Sequence, residues 1–276
     1  MNGARPPDDP WIARSALCLL AACAALTACS TGDNNAGAKF EPATPGVLTV
    51  ATAFLPAPGF WEGNPPTRGF EAQLALAIAK HLGLSKVAVK QVPFAQIVSG
   101  HLDGADIALS QITPTKDREK VLDFTSAYID APPGVLARQG VVAGDVNGLQ
   151  GLHWVISRVS TLTPILMHDV RPNQAPAVTE DRTGALQVLR AGKADALLLD
   201  LPVALGLAQA DPGRFHVLGQ LSGSDALAAA LPHDSHNDEI VDSAIRFLQA
   251  DGTIDSLMSR WLGQSQDDVP LIRTEG

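Results

Sequence analysis

The chain has 276 residues, enough for one large domain or two modest ones with a substantial core. Hydrophobic residues make up 46% and charged residues 18%, which excludes an intrinsically disordered chain. The formal net charge of −9 argues against the basic face of a nucleic-acid binder, but a few pocket residues set a ligand's charge, so that charge stays open.

Ser15 to Ala28 is an uncharged apolar run preceded by Arg5 and Arg14. It is shorter than the ~20 residues a membrane-crossing helix needs and suits the apolar core of an export signal. The run ends in Leu26-Thr27-Ala28-Cys29, which resembles the lipobox of bacterial lipoproteins. That resemblance implies a signal peptide over 1–28, cut before Cys29, and diacylglycerol on the Cys29 thiol. The alternatives are a plain secretory signal with a small-residue cut site and, against the length argument, a membrane helix. Asp8-Asp9 is unusual in a positively charged leader and leaves a later translation start open. Cys18 and Cys23 fall inside the leader, so Cys29 would be the one cysteine remaining, and lipidation gives it a reason. Residues 29–46 then read as the lipidated cysteine and a small, polar, Pro/Gly-containing tether.

From Val47 the chain alternates short apolar runs with amphipathic stretches. Val47 to Ala53 reads as a buried strand. Phe70 to Leu82 places Phe70, Leu74, Ala77, Ile78 and Leu82 on one helical face and stops at Gly83. Val87 to Val92 is a strand, Ala95 to Leu102 a helix, and Asp106 to Ile112 a third strand. A second cycle runs through a strand at Trp154 to Ser157, a helix at Gly184 to Ala191 and the apolar strand Ala196 to Leu199. Helices at Asp238 to Leu248 and Ile254 to Leu262 close the chain. Such alternation predicts α/β layers with mainly parallel strands.

Three stretches carry a family resemblance. Gly69-Phe70-Glu71-Ala72-Gln73-Leu74 opens a helix, with Gln73 where the pattern usually has Asp. Gly104-Ala105-Asp106-Ile107 leads through Thr113-Pro114-Thr115-Lys116-Asp117-Arg118 to Val121-Leu122-Asp123-Phe124-Thr125 and Tyr128. Ala250-Asp251-Gly252-Thr253-Ile254-Asp255 leads to Arg260-Trp261-Leu262-Gly263. In this order the stretches resemble the family-3 extracellular solute-binding proteins, the polar amino-acid receptors of ABC importers. The resemblance covers nearly everything after the tether. It implies a two-lobed periplasmic-binding-protein-like fold of type II, with two crossover strands: lobe 1 from 47–133 and 224–276, lobe 2 from 134–223. It further implies a monomer without cofactor that takes a small amino acid, meets a transporter permease, and is held by its lipid on the outer face of the cytoplasmic membrane.

Thr113-Pro114 after a buried strand reads as an N-cap followed by proline at the first helical position, a helix start able to bind an anion. Arg118, about one turn on, offers a guanidinium fork for a carboxylate. An ordinary cap with a surface arginine is the plainer alternative. The resemblance implies that Arg118 and Thr113 bind the ligand's α-carboxylate, with Gln111 facing the cleft. Asp200, at the exit of an apolar strand, either accepts hydrogen bonds from the α-ammonium, as the resemblance implies, or caps the helix starting at Leu201-Pro202. Ser160 and Thr161 are the lobe-2 counterpart. Arg158-Val159 stands where the family usually has glycine, so this loop is expected to differ. Phe60, Trp61 and Phe94 are candidate cleft walls or plain core. Ala53, where receptors for basic amino acids in the family often carry an acid, argues against a lysine-type ligand.

His233-Asp234-Ser235-His236 lies in a polar turn without a third ligand at metal-site spacing, and reads as a solvated loop rather than a metal site. No H-E-x-x-H, G-x-S-x-G or P-loop is present. Two rivals to solute delivery remain on the same fold: a dehydratase of the cyclohexadienyl type, and an extracellular ligand sensor.

Overall fold

The computed structural model describes residues 39–223, 225–263 and 268–274. The expected signal peptide, Cys29 and most of the tether lie outside the described residues.

The chain builds two five-stranded sheets. It lays down β1 (Val47–Thr52), α1 (Phe70–His81), β2 (Lys86–Gln91), α2 (Phe94–Ile97), β3 (Ile107–Ile112) and β4 (Leu122–Asp130). Then follow β5 (Pro133–Arg138), α3 (Val146–Gln150), β6 (Trp154–Ser157), α4 (Thr163–Ile165), β7 (Ala177–Thr179), α5 (Arg182–Arg190), β8 (Ala196–Asp200), α6 (Leu201–Ala210) and β9 (Phe215–Gln220). β10 (Ala226–Pro232), α7 (Asp238–Ala250) and α8 (Thr253–Trp261) end the described elements. The first sheet has the order β2-β1-β3-β10-β4 and the second β7-β6-β8-β5-β9. Each is parallel except for one reversed strand. That strand is β10 in the first sheet, antiparallel to β3 and β4, and β5 in the second, antiparallel to β8 and β9.

The reversal follows from the route of the chain. It leaves the first sheet at the end of β4, passes Ala131 and Pro132, and enters the second as β5; it returns from β9 to β10 through 221–225. The two passages are tied together, with Ala131 N–H donating to the Asp225 carbonyl (2.8 Å) and Leu221 N–H to the Pro133 carbonyl (2.8 Å). The last described segment departs from expectation. Residues 268–274 do not stay with lobe 1: Leu271 bridges Gln220 on β9, and Ile272 is buried in the lobe-2 core. The edge strand β9 pairs with it, Gln220 N–H donating to the Pro270 carbonyl (2.9 Å) and Ile272 N–H to the Gln220 carbonyl (2.8 Å), and an isoleucine gains from burial there.

Burial explains why these runs form strands. All six residues of β3 and all five of β8 are buried, as central strands covered by helices on both faces require. Asp106 marks the entrance to β3 and is buried because its carboxylate accepts from Thr49 N–H and Ala43 N–H, both at 2.7 Å. It fastens the start of β1 beside β3. Helix α7 buries Val241, Ala244, Ile245 and Leu248, the spacing of one helical face. The helix expected over 95–102 is shorter, ending at Ile97, because Gly100 takes a positive φ beyond it.

Candidate ligand-binding cleft

The C-terminal ends of β3 and β8 face one another across a small cleft of about 50 Å³. Leu55, Phe94, Gln111, Thr113 and Arg118 line it from lobe 1; Ser157, Val159 to Leu162, Arg182 and Leu197 to Asp200 line it from lobe 2. Of the residues expected at the site, Arg118, Thr113, Gln111, Asp200, Ser160, Thr161 and Phe94 are brought together. Phe60 and Trp61 are not, and that expectation is corrected. Phe60 is fully buried edge-on against Phe70 in the lobe-1 core, and Trp61 is held by a bond from its indole N–H to the Leu109 carbonyl (3.1 Å). An aromatic with no polar group gains most from complete burial.

Arg118 is where its chemistry was expected, but by another route. No α-helix starts at Thr113-Pro114; a single 3-10 turn, Arg118–Lys120, follows a loop in which Thr115 Oγ1 accepts from Arg118 N–H (3.2 Å). Thr113 therefore caps nothing, and the expected helix-end anion site is not formed. The loop instead turns Arg118 back so that one Nη donates to the Thr113 carbonyl (2.7 Å), while Phe94 lies 5.5 Å beneath the guanidinium. The other Nη crosses to lobe 2 and donates to the Val159 carbonyl (3.2 Å). Both protein acceptors are backbone carbonyls, so the buried charge has no carboxylate bonded to it. Burial lowers the pKa of this guanidinium, with Asp200 pulling it back up.

The departure at Arg158-Val159 is accommodated. Arg158 points outward to Glu180 (3.1 Å), both side chains largely exposed, and the Val159 backbone needs no positive φ. Ser160 Oγ accepts from Leu162 N–H (3.2 Å), and the Oγ of Ser157 is buried with no protein partner.

Asp200 precedes α6, yet its side chain makes no capping bond. It faces the cleft, 3.9 Å from Arg182. Desolvation raises its pKa to about 6, opposed by Arg182 and Arg118 and assisted by Asp225.

Two residues were missed by sequence reasoning. Arg182 opens α5 just after its N-cap Asp181, a poor place for a cation in the helix's own field. That mismatch was the available signal. Its Nη1 donates to Gln111 Oε1 (3.1 Å), a second bond between the lobes. Glu71, fully buried at the start of α1, accepts from Gln111 N–H (2.8 Å), from the Gln111 side-chain amide and from Tyr128 O–H (2.6 Å). Desolvation raises its pKa while these donors lower it. Gln111 has φ 49°, a backbone conformation rare for residues other than glycine, and the two bonds it donates to Glu71 hold it there.

The histidine turn pairs His233 with Asp123 (3.1 Å) and His236 with Glu41 (3.3 Å). No group of three metal-ligating side chains occurs among the described residues.

Two mixed α/β sheets joined by paired crossings around a polar cleft define a two-lobed solute-binding fold of type II. The chain belongs to the bacterial extracellular solute-binding proteins, family 3, whose pattern it matches over residues 48–264. The L-cystine-binding protein TcyJ of Escherichia coli (strain K12) is 26% identical over 200 residues, covering 71% of this chain and 74% of the relative. The structure of an ancestral arginine-binding protein bound to arginine superposes with a TM-score of 0.66 at 27% identity, covering 78% of this chain and 98% of that one. An ancestral amino acid-binding protein, a precursor of cyclohexadienyl dehydratase, gives a TM-score of 0.65 at 25% identity over 79% of this chain and 96% of that one.

Proposed function

We propose that this protein captures an amino acid between its lobes and delivers it to an ABC transporter. The observation that carries the reading is Arg118, a buried guanidinium whose protein partners are carbonyls, one from each lobe, with Asp200 among the cleft residues on the lobe-2 side. A guanidinium so placed suits a carboxylate, and a buried carboxylate with a cation near it but not hydrogen-bonded to it suits an ammonium. A zwitterion meeting both favours closure, since a ligand shifts a two-lobe equilibrium only through contacts stronger in the closed form. Thr113, Gln111, Ser160 and Thr161 supply further polar groups around it, and Phe94 an apolar wall. The relatives named for amino acids support the same reading. A thermal-shift screen of the purified protein against the twenty amino acids tests it: binding raises stability by RT ln(1 + [L]/Kd), about 2.7 kcal/mol at a hundredfold excess over Kd. Silence from every amino acid, on protein unfolded and refolded beforehand, would reject it.

The Leu26-Thr27-Ala28-Cys29 stretch supports an exported form held to the membrane by a lipid on Cys29. Cys29→Ser should move the protein from the membrane fraction to the soluble one; unchanged membrane retention would refute the anchor.

A second reading has one observation in its favour. Asp200, with a pKa of about 6 in a buried cleft, has the character of a general acid or base, and a solved relative is a precursor of a dehydratase. Turnover of prephenate or arogenate to an aromatic product would favour the enzyme; unaltered substrate favours the receptor.

A further inference from the structure

We propose that Arg182 is the specificity-determining residue of the cleft and that it selects an acidic amino acid, by binding a second carboxylate on the ligand's side chain. This rests on the amino-acid reading above and names the ligand class for the same site.

The charges lining the cleft are unequal. Two guanidinium groups, Arg118 and Arg182, share it with one carboxylate, Asp200, among the described lining residues. Once Arg118 holds an α-carboxylate and Asp200 an α-ammonium, no lining carboxylate remains for Arg182; Glu71 and Asp181 act on its charge only from outside the lining. Glu71 stands behind Gln111 rather than in the lining, its oxygens occupied by Gln111 and Tyr128. A ligand with a second carboxylate gives Arg182 a partner inside the cleft; a basic one brings a third cation into a lining whose one carboxylate is already engaged.

Arg182 is not explained as a structural partner of Asp200. A guanidinium placed to neutralise a carboxylate closes to a paired geometry near 2.7–2.9 Å. Here the approach is 3.9 Å, too long for a hydrogen bond. Among the described residues, the one hydrogen bond from Arg182 goes to a neutral amide oxygen, Gln111 Oε1. With five N–H donors on a guanidinium, most of its fork remains for another acceptor. Nor does Arg182 serve its helix, where a cation in the first turn opposes the dipole. The Glu71–Gln111 bonds fix the amide that in turn fixes Arg182, so the fork is held in place from lobe 1 as the lobes meet. The rest of the lining, aliphatic side chains with Phe94 and a few serine and threonine hydroxyls, offers no acid to a basic side chain.

The test is calorimetry of the purified protein with L-glutamate, L-aspartate, their amides L-glutamine and L-asparagine, and L-arginine, repeated on Arg182→Gln and Arg182→Lys. We expect an acid to bind at least ~10-fold tighter than its amide and than arginine. Arg182→Gln should weaken the acid by roughly 30-fold or more, in line with removing one partner of a buried charge pair, while the amide changes only a few-fold. Arg182→Lys should retain part of the acid preference. Retained amide binding by Arg182→Gln shows that the variant is folded; if it binds neither, Arg182→Lys decides. Equal losses for acid and amide in both variants, or a wild-type preference for an amide or arginine, would overturn the proposal while leaving amino-acid binding intact. No binding of any amino acid to the wild type would overturn both.

Discussion

Asp200 shows how one carboxylate turns burial into pH dependence. The folded protein holds its proton up to about pH 6, whereas the group ordinarily titrates near 3.8. The folded state therefore binds more protons than the unfolded chain between those values. Asp200's contribution favours folding at pH 4 and is lost as pH rises through 6. The proposed ligand binding has the opposite sign, because an α-ammonium at Asp200 needs the ionised carboxylate. Affinity for an amino acid should rise between pH 5 and 7, by up to ~10-fold per pH unit below 6, and level off above it. The matching carboxylic acid without the amine should show no such rise, and Asp200→Asn should flatten the amino acid's curve. Calorimetry across this range checks both; parallel curves for the two ligands would remove Asp200 from the ammonium site. The cleft positions of Arg118 and Asp200 were legible in sequence because motifs and a strand exit mark them. Arg182 was not, because its role comes from a meeting with Gln111 across 71 positions of chain, which no local pattern encodes.

Among the elements, legibility tracked how closely burial follows a period. β6 was predicted with its observed bounds, and α1, β1 and β3 within a residue, since their apolar runs match their burial. β10, Ala226–Pro232, has four alanines among its seven residues and carries no strand signature, although it lies inside the first sheet between β3 and β4. Its place is set by the returning crossover, which is a tertiary fact. The start of α1 illustrates how tightly an element can be fixed by one residue. Gly69 sits at φ 104°, and a Cβ there would lie 2.4 Å from the Phe60 carbonyl oxygen. Gly69→Ala must move the turn that presents Glu71 and, through it, Gln111. We expect a loss of at least about 1–3 kcal/mol, the range for a strained backbone, in urea unfolding, with weakened ligand binding. A change below 0.5 kcal/mol would show that the turn adapts freely.

For the whole molecule, the two sheets repeat one plan, a parallel sheet with a single reversed strand beside its centre. The strand ends that face one another carry the cleft residues, and two bonds, Arg118 to Val159 and Arg182 to Gln111, link the lobes across it. A cleft of about 50 Å³ has room for only a few waters, so the proposed amino-acid ligand requires the lobes to open. The two-lobed plan was legible from the order of the motifs. The docking of 268–274 on lobe 2 was not, since the short run Val269 to Ile272 has no period of its own and takes its place from the β9 edge. The central claim is that Arg118 holds the carboxylate of an amino acid between the lobes. The direct measurement is calorimetric titration of the wild type and Arg118→Ala with the best amino acid from the thermal-shift screen. Removing one partner of a buried charge pair costs about 2–5 kcal/mol, so the account predicts binding weakened from roughly thirty- to several-thousand-fold, with the circular dichroism spectrum unchanged. Equal affinity in the two proteins would place the carboxylate elsewhere and contradict the account.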